Sequence, residues 1–180
     1  MNNKIKIYVS TSNLHIHMIK VFAYLFNKFW SSEQEVIVLG YDAPTFDLPN
    51  NFKFISMGKQ EGIHMWAPDL KGFFESIEDK HFIYTMEDMF LVDPVNFKIL
   101  DYLIDVHKLN DNIGRIGLTT DIRRTAKWNV VAQHKTFDLI ERLQDQWLRI
   151  SATCSLWNRN YMLEHLLNKG TPWEFEGLCR

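Results

Sequence analysis

HFIYTMEDMFLVDPVN, residues 81–96, opens as an unbroken run of strand-forming residues (Phe82, Ile83, Tyr84, Thr85, Met86) and stops on two adjacent acids, Glu87 and Asp88. A run of this length with no polar alternation reads as a strand covered on both faces. A second apolar group follows, Met89 to Val92, and Asp93-Pro94 then opens a helical pattern. Two like charges beside apolar neighbours at a strand end are costly to place. In an open α/β sheet, the carboxyl end of a strand is also where ligands bind. Glu87 and Asp88 therefore mark the centre of a candidate site.

Working outward, the same grammar repeats. Ile5, Ile7 and Val9 form a first strand that ends in Ser10-Thr11-Ser12-Asn13. Over residues 14–30, Ile16, Ile19, Phe22, Phe26 and Phe29 recur at helical spacing. EVIVLG (35–40) and FKFISM (52–57) are further strands, with Pro44 and Pro49 marking the loop between them. Pro68 starts a helix expected to reach about residue 79. After the opening segment, residues 94–108 are amphipathic and IGRIGL (113–118) is a fifth strand. Residues 121–135 read as loop, and 136–144 fit strand or helix. Residues 148–157 read as strand and 158–168 as helix. Thr171-Pro172-Trp173-Glu174 matches a capping box with proline at the first helical position. Strands alternating with helices predict an α/β fold with a mostly parallel central sheet flanked by helices. Neither GxGxxG nor GxxxxGK[ST] occurs, which disfavours ordinary dinucleotide and P-loop chemistry.

The 180 residues suit one domain, 1–180, with a substantial core, and 46% hydrophobic content argues against disorder. A formal charge of -2 provides no basic field for nucleic acid or an anionic membrane, so no nucleic-acid partner is expected. Cys154 and Cys179 lack metal-ligand spacing and suit a reducing compartment. The first residues run straight into a strand without a leader pattern. No run approaches the ~18 apolar residues of a transmembrane segment. These features predict a soluble, cytoplasmic protein.

The run from Trp66 through Leu70 and Phe74 to Phe82-Ile83-Tyr84, then Glu87-Asp88-Met89-Phe90-Leu91 and Pro94-Val95-Asn96, resembles a family of glycosyltransferases. These are the single-domain A-type enzymes of polysaccharide-synthesis clusters and some large viruses. Ser155-Leu156-Trp157-Asn158-Arg159-Asn160-Tyr161-Met162-Leu163 and Pro172-Trp173-Glu174-Phe175-Glu176 resemble the same group. The acids read Glu-Asp-Met where that family carries Asp-x-Asp.

The resemblance implies a nucleotide-diphospho-sugar transferase fold. It also implies metal-dependent, inverting transfer of a sugar from a nucleotide-diphosphate donor to a glycan or other hydroxyl acceptor. Mn²⁺ or Mg²⁺ would bridge the donor phosphates, and such cations take carboxylate oxygens. Asp88 is the implied ligand, with Glu87 either second or turned into a hydrogen-bond network. Ser10, Thr11 and Ser12, together with Asp42, stand where that fold holds base and ribose, and Trp66 is a candidate stacking surface. Inverting transfer needs a carboxylate to take the acceptor proton, and Glu174 and Glu176 are the candidates, with Asp121 as an alternative.

Structural readings compete at each position. Glu87 and Asp88 could cap a helix or pair with basic residues. Asp42 before Ala43-Pro44 is an ordinary turn-former, and Glu174 suits a capping box for purely structural reasons. Trp66, Trp157 and Trp173 could stack on sugars or fill the core. Arg123, Arg124 and Lys127 could meet a diphosphate or form a solvated face, and His15 and His17 read as a helix-start pair. A catalytically inactive nucleotide-sugar or glycan-binding module of the same fold is the alternative functional reading.

Overall fold

A computed structural model describes residues 5–119, 127–143 and 149–177. Strand β1 (Lys6–Ser10) leads through a 3-10 turn into helix α1 (Ile19–Phe29), then β2 (Val36–Gly40) and β3 (Phe52–Ser56). A second 3-10 turn, Ile63–Met65, enters α2 (Trp66–Glu75), followed by β4 (His81–Met86), α3 (Phe97–Leu109) and β5 (Arg115–Gly117). The hairpin β6 (Trp128–His134) and β7 (Phe137–Arg142) precedes β8 (Ser155–Asn158), α4 (Arg159–His165) and α5 (Pro172–Gly177).

Six strands form one sheet in the order β3-β2-β1-β4-β8-β5. Strands β3, β2, β1 and β4 are mutually parallel, while β8 runs antiparallel to both of its neighbours. The expected mostly parallel sheet is therefore present with one reversed strand. The reversal follows from the route of the chain. The Leu118 N–H, just past the end of β5, donates to the Cys154 carbonyl at 2.9 Å. The segment leading into β8 thus lies at the carboxyl edge and enters the sheet from there.

Both faces are covered, as the unbroken apolar strands require. On one face Ile7, Val9, Val38, Ile83 and Leu156 pack under α1 and α3, led by Phe22, Phe26 and Ile104. On the other, Tyr8, Leu39, Phe82, Tyr84 and Trp157 meet α2, α4 and α5 through Leu70, Phe74, Met162 and Phe175. Phe74 stacks on Phe82 at 4.5 Å between ring centroids, and Tyr8 meets Phe82 edge-on at 5.3 Å.

Several expected boundaries move. Helix α1 starts at Ile19 because a tight turn closed by His15 N–H to Ser12 carbonyl (3.0 Å) occupies the residues before it. Helix α2 ends at Glu75, where the Ser76 hydroxyl bonds back to the Phe73 carbonyl at 2.7 Å. Helix α3 begins at Phe97 because Asn96, not Asp93, is its cap: the Asn96 side chain accepts from the Ile99 N–H. Residues 128–134, expected as loop, are strand β6, and residues 137–142 resolve the ambiguous segment as β7. A register shift between Val130 and Ala132 breaks the alternation that would have marked β6. The expected strand at 148–157 is confined, among the described residues, to Ser155–Asn158.

Candidate active site

The carboxyl ends of the first four strands meet along one edge, held by backbone bonds that extend past the strands. Glu87 N–H donates to the Ser10 carbonyl at 3.2 Å, Thr11 N–H to the Leu39 carbonyl at 2.8 Å, and Met57 N–H to the Gly40 carbonyl at 2.7 Å. Ser10, Thr11, Asp42 and Glu87 therefore emerge side by side from loops anchored to one ladder.

The two acids of the opening segment part company. Glu87 is buried, only 4% exposed, and burial pushes its carboxyl up to about 7, with the neighbouring Asp88 charge adding to the rise. Its Oε1 lies 3.2 Å from His15 Nδ1, while its Oε2 is buried without a partner. Asp88 is exposed on the turn closed by Met89 N–H to the Met86 carbonyl at 3.2 Å. Its carboxylate enters no hydrogen bond or ion pair among the described residues. One acid faces inward and is starved of partners; the other stands in solvent.

Beside them, the Ser10 hydroxyl shares a buried 2.6 Å hydrogen bond with the Tyr84 hydroxyl. Thr11 is buried, and Ser12 Oγ accepts from the His15 N–H at 3.3 Å. Asp42 is clamped to Asn13 by reciprocal bonds. Asn13 Nδ2 donates to Asp42 Oδ2 at 2.5 Å, and the Asp42 N–H donates to Asn13 Oδ1 at 2.9 Å. The Asn13 N–H also donates to Gln60 Oε1 at 3.1 Å. Three loops thus converge on one polar patch. Both loops are expected from sequence, 10–13 as the polar end of the first strand and 58–64 as a polar, glycine-bearing surface loop near the site, but nothing local singles out Asn13 or Gln60 within them.

Helix α5 reaches this edge through aromatic packing. Burial raises the Tyr84 hydroxyl pKa, the Ser10 hydrogen bond opposes that rise, and the nearby Glu87 charge adds to it, while Trp66 packs on the same face of the sheet as Tyr84. Trp66 in turn meets Phe175 edge-on at 5.6 Å. With Phe175 turned into the core, the ~100° per residue of a helix sends Glu174 and Glu176 to opposite flanks. Glu174 closes the capping box: its Oε2 accepts from the Thr171 N–H at 2.7 Å, and the Glu174 N–H donates to Thr171 Oγ1 at 3.2 Å. Those bonds, with His64 Nδ1 at 3.4 Å, hold its carboxyl below the usual range. Glu176 Oε1 instead accepts from Ser151 Oγ at 2.6 Å and the Ala152 N–H at 2.9 Å. The two glutamates answer to different loops.

No protein-family description matches this chain, and no curated protein matches it. Among solved structures, a mannosyltransferase from Pyrobaculum calidifontis in complex with GDP-Man and Mn2+ is similar at a TM-score of 0.45 and 12% identity. The similarity covers 67% of this chain and 36% of that one.

The three tryptophans separate by burial. Trp157 is fully buried and Trp66 is 9% exposed, whereas Trp173 is 69% exposed. Asp121, Arg123 and Arg124 lie outside the described residues, and Lys127 is exposed just before β6. His15 does start a turn, as the sequence suggested, but its ring is also the partner of Glu87. The Arg115 guanidinium was not singled out from sequence. It is half-buried near Trp157, 5.3 Å from the ring centroid, and Nη2 donates to Thr153 Oγ1 at 3.1 Å. Two open hollows of about 590 and 550 Å³ lie elsewhere, against α1 and against α2, and neither is lined by Glu87, Asp88, Glu174 or Glu176.

Proposed function

We propose that this chain is a metal-dependent glycosyltransferase that moves a sugar from a nucleotide-diphosphate donor to a hydroxyl acceptor with inversion. One observation carries the reading. A buried carboxylate with an unpartnered oxygen, Glu87, sits beside an exposed and unengaged one, Asp88, at the carboxyl edge of a mostly parallel sheet. That edge is where open α/β sheets bind ligands. The sequence resemblance supplies the reaction class.

These residues fit a divalent cation carried in with the donor. No group of three or more His, Cys, Asp or Glu side chains is gathered as a metal cage among the described residues. A diphosphate-bound Mn²⁺ or Mg²⁺ needs only one or two carboxylates, because phosphate oxygens and waters complete its shell. Asp88 would hold it, with the free Oε2 of Glu87 as second ligand or hydrogen-bond acceptor. When bound, the cation neutralises charge building on the leaving diphosphate.

The remaining steps belong to the chain. Ser12, the Asn13–Asp42 clamp and Gln60 present acceptors and donors for the base and ribose edges. Ser10 and Tyr84, locked together beneath them, fix the height of the loop. Trp66, nearly buried and packed edge-on against Phe175, belongs to the core instead of offering a stacking face. Glu174 takes the acceptor proton: its carboxylate reaches solvent and is kept ionised by the capping box. Glu176 ties α5 to residues 151 and 152 and positions that helix.

A second reading, a binding module without turnover, has one observation in its favour: both glutamates of α5 already make structural hydrogen bonds. A thermal-shift screen of nucleotide-diphosphate sugars with and without Mn²⁺, followed by product detection, separates the two. A Mn²⁺-dependent upward shift with transfer or hydrolysis is the expected result. A shift without turnover selects the binding module, and no shift with any donor rejects both.

A further inference from the structure

The open hollow of about 590 Å³ lies between α1 and the loop from β2 to β3, and its size is that of small-ligand pockets, roughly 300 to 1,000 Å³. One wall is a single flank of α1, where Ile19, Ala23 and Asn27, with Lys20, Tyr24 and Lys28 beside them, recur at helical spacing. Phe46, Leu48 and Pro49 form the other wall. Reciprocal amide bonds tie the helix to the end of the loop: Asn51 Nδ2 donates to Asn27 Oδ1 at 2.9 Å, and Asn27 Nδ2 donates to Asn51 Oδ1 at 3.3 Å. Phe46 and Leu48 also pack against the core cluster that holds Ile19 and Ala23. The hollow is therefore a groove with anchored walls.

The chemistry of those walls is selective. Ile19, Ala23, Phe46, Leu48 and Pro49 offer side chains without a hydrogen-bonding group. A peptide or a sugar laid on them would bury polar groups unpaired, whereas an alkyl chain has none to satisfy. The charge is supplied by Lys20, whose ammonium reaches from α1 over the Phe46 ring of the facing wall, 4.6 Å from its centroid. Asp47 lines the same hollow but is exposed, and Lys20 pairs with no carboxylate among the described residues. Lys28 instead lies over Phe29, which does not line the hollow, at 4.9 Å. We infer that the hollow binds an amphiphile with one alkyl chain and an anionic head, the chain lying along α1 over Ala23 and the head paired with Lys20. The site is separate from the Glu87 edge and does not rest on the transferase reading.

The full chain is titrated with octyl, decyl and dodecyl phosphate below micelle-forming concentrations, as wild type, Lys20→Gln and Lys28→Gln. Methyl NMR locates the ligand, circular dichroism checks folding, and dodecyltrimethylammonium serves as the cationic control. Wild type is expected to bind the phosphates with affinity rising about three- to fourfold per added CH₂ group. The methyl signals of Ile19, Ala23 and Leu48 should shift. Lys20→Gln keeps the packing stem and should weaken binding about tenfold, while Lys28→Gln should bind like wild type. No binding, or binding indifferent to chain length, overturns the inference. Equally tight binding by Lys20→Gln, or of the cationic amphiphile, overturns the assignment of an anionic head. Methyl shifts confined to Ile55 and Ile77 overturn the location, because those residues line the hollow against α2. Sedimentation with phosphatidylglycerol vesicles, without binding of the free phosphates, replaces the pocket with adsorption to a membrane surface.

Discussion

The Glu87 N–H donates to the Ser10 carbonyl across 3.2 Å, extending the parallel ladder between β1 and β4 one residue beyond the end of β4. That bond fixes the Glu87 backbone at the sheet edge and leaves Asp88 on the following turn. The different surroundings of the two acids are therefore a consequence of strand register.

Glu174 and Glu176 separate cleanly by substitution. Glutamine at position 174 keeps the capping box, since Gln serves there as Glu does, but removes the base. Glu174→Gln should leave the melting temperature unchanged and lower kcat by a factor of about 10²–10⁴. Glu176→Ala removes the acceptor for Ser151 Oγ and the Ala152 N–H, and should cost about 2 kcal/mol by chemical denaturation. A kcat loss confined to the Glu176 variant, with Glu174→Gln active, would reverse the roles.

His81 and His107 give the fold an acid limit remote from the site. Their Nδ1 atoms are 3.2 Å apart, and burial pushes His107 down to about 4 and lowers His81. The charged groups acting on the half-buried His81 ring are Lys80, Lys108 and Asp111. An unfolded histidine binds a proton near pH 6.5 and the buried one does not until about pH 4. The stability is thus complete above pH 6.5 and is lost as pH falls toward 4, on the order of 3 kcal/mol. Denaturation of wild type and His107→Leu between pH 7 and 4 checks this: the wild-type slope should be the steeper. Parallel slopes would exclude the pair as the cause.

Gly114 is a packing requirement. A Cβ there would stand 2.2–2.5 Å from three ring atoms of Tyr161, while the Gly114 carbonyl accepts from the Asn158 N–H at 2.9 Å. Neither side can retreat without opening the junction of β5 and α4. Gly114→Ala should cost about 1–3 kcal/mol, and Gly114→Ala with Tyr161→Ala should recover part of the contact penalty. A neutral single variant would contradict the placement of Tyr161.

Much of the layering was legible because each strand writes both of its faces: Tyr8 between Ile7 and Val9, and Phe82 and Tyr84 around Ile83. The acids at the end of β4 were visible for the same reason, as charges interrupting an apolar run. What escaped was set by contacts distant in sequence. The direction of β8 depends on where residue 154 meets residue 118, and β6 was hidden by its bulge. The bond from Glu176 to Ser151 spans 25 positions, so no local pattern could announce it. The Asn13–Asp42 clamp joins two loops that the chain itself keeps 29 residues apart.

The most direct test of the donor site is calorimetric titration of wild type and Asp88→Asn with nucleotide-diphosphate sugars, each with Mn²⁺ and with EDTA. The substitution keeps the size of an exposed side chain that makes no hydrogen bond or ion pair among the described residues, so the fold should be unaffected. Wild type should bind a donor in Mn²⁺ and lose most of that affinity in EDTA, whereas Asp88→Asn should bind weakly in both. Donor binding that is equally tight in Asp88→Asn with Mn²⁺ would contradict the assignment of the cation to this edge of the sheet.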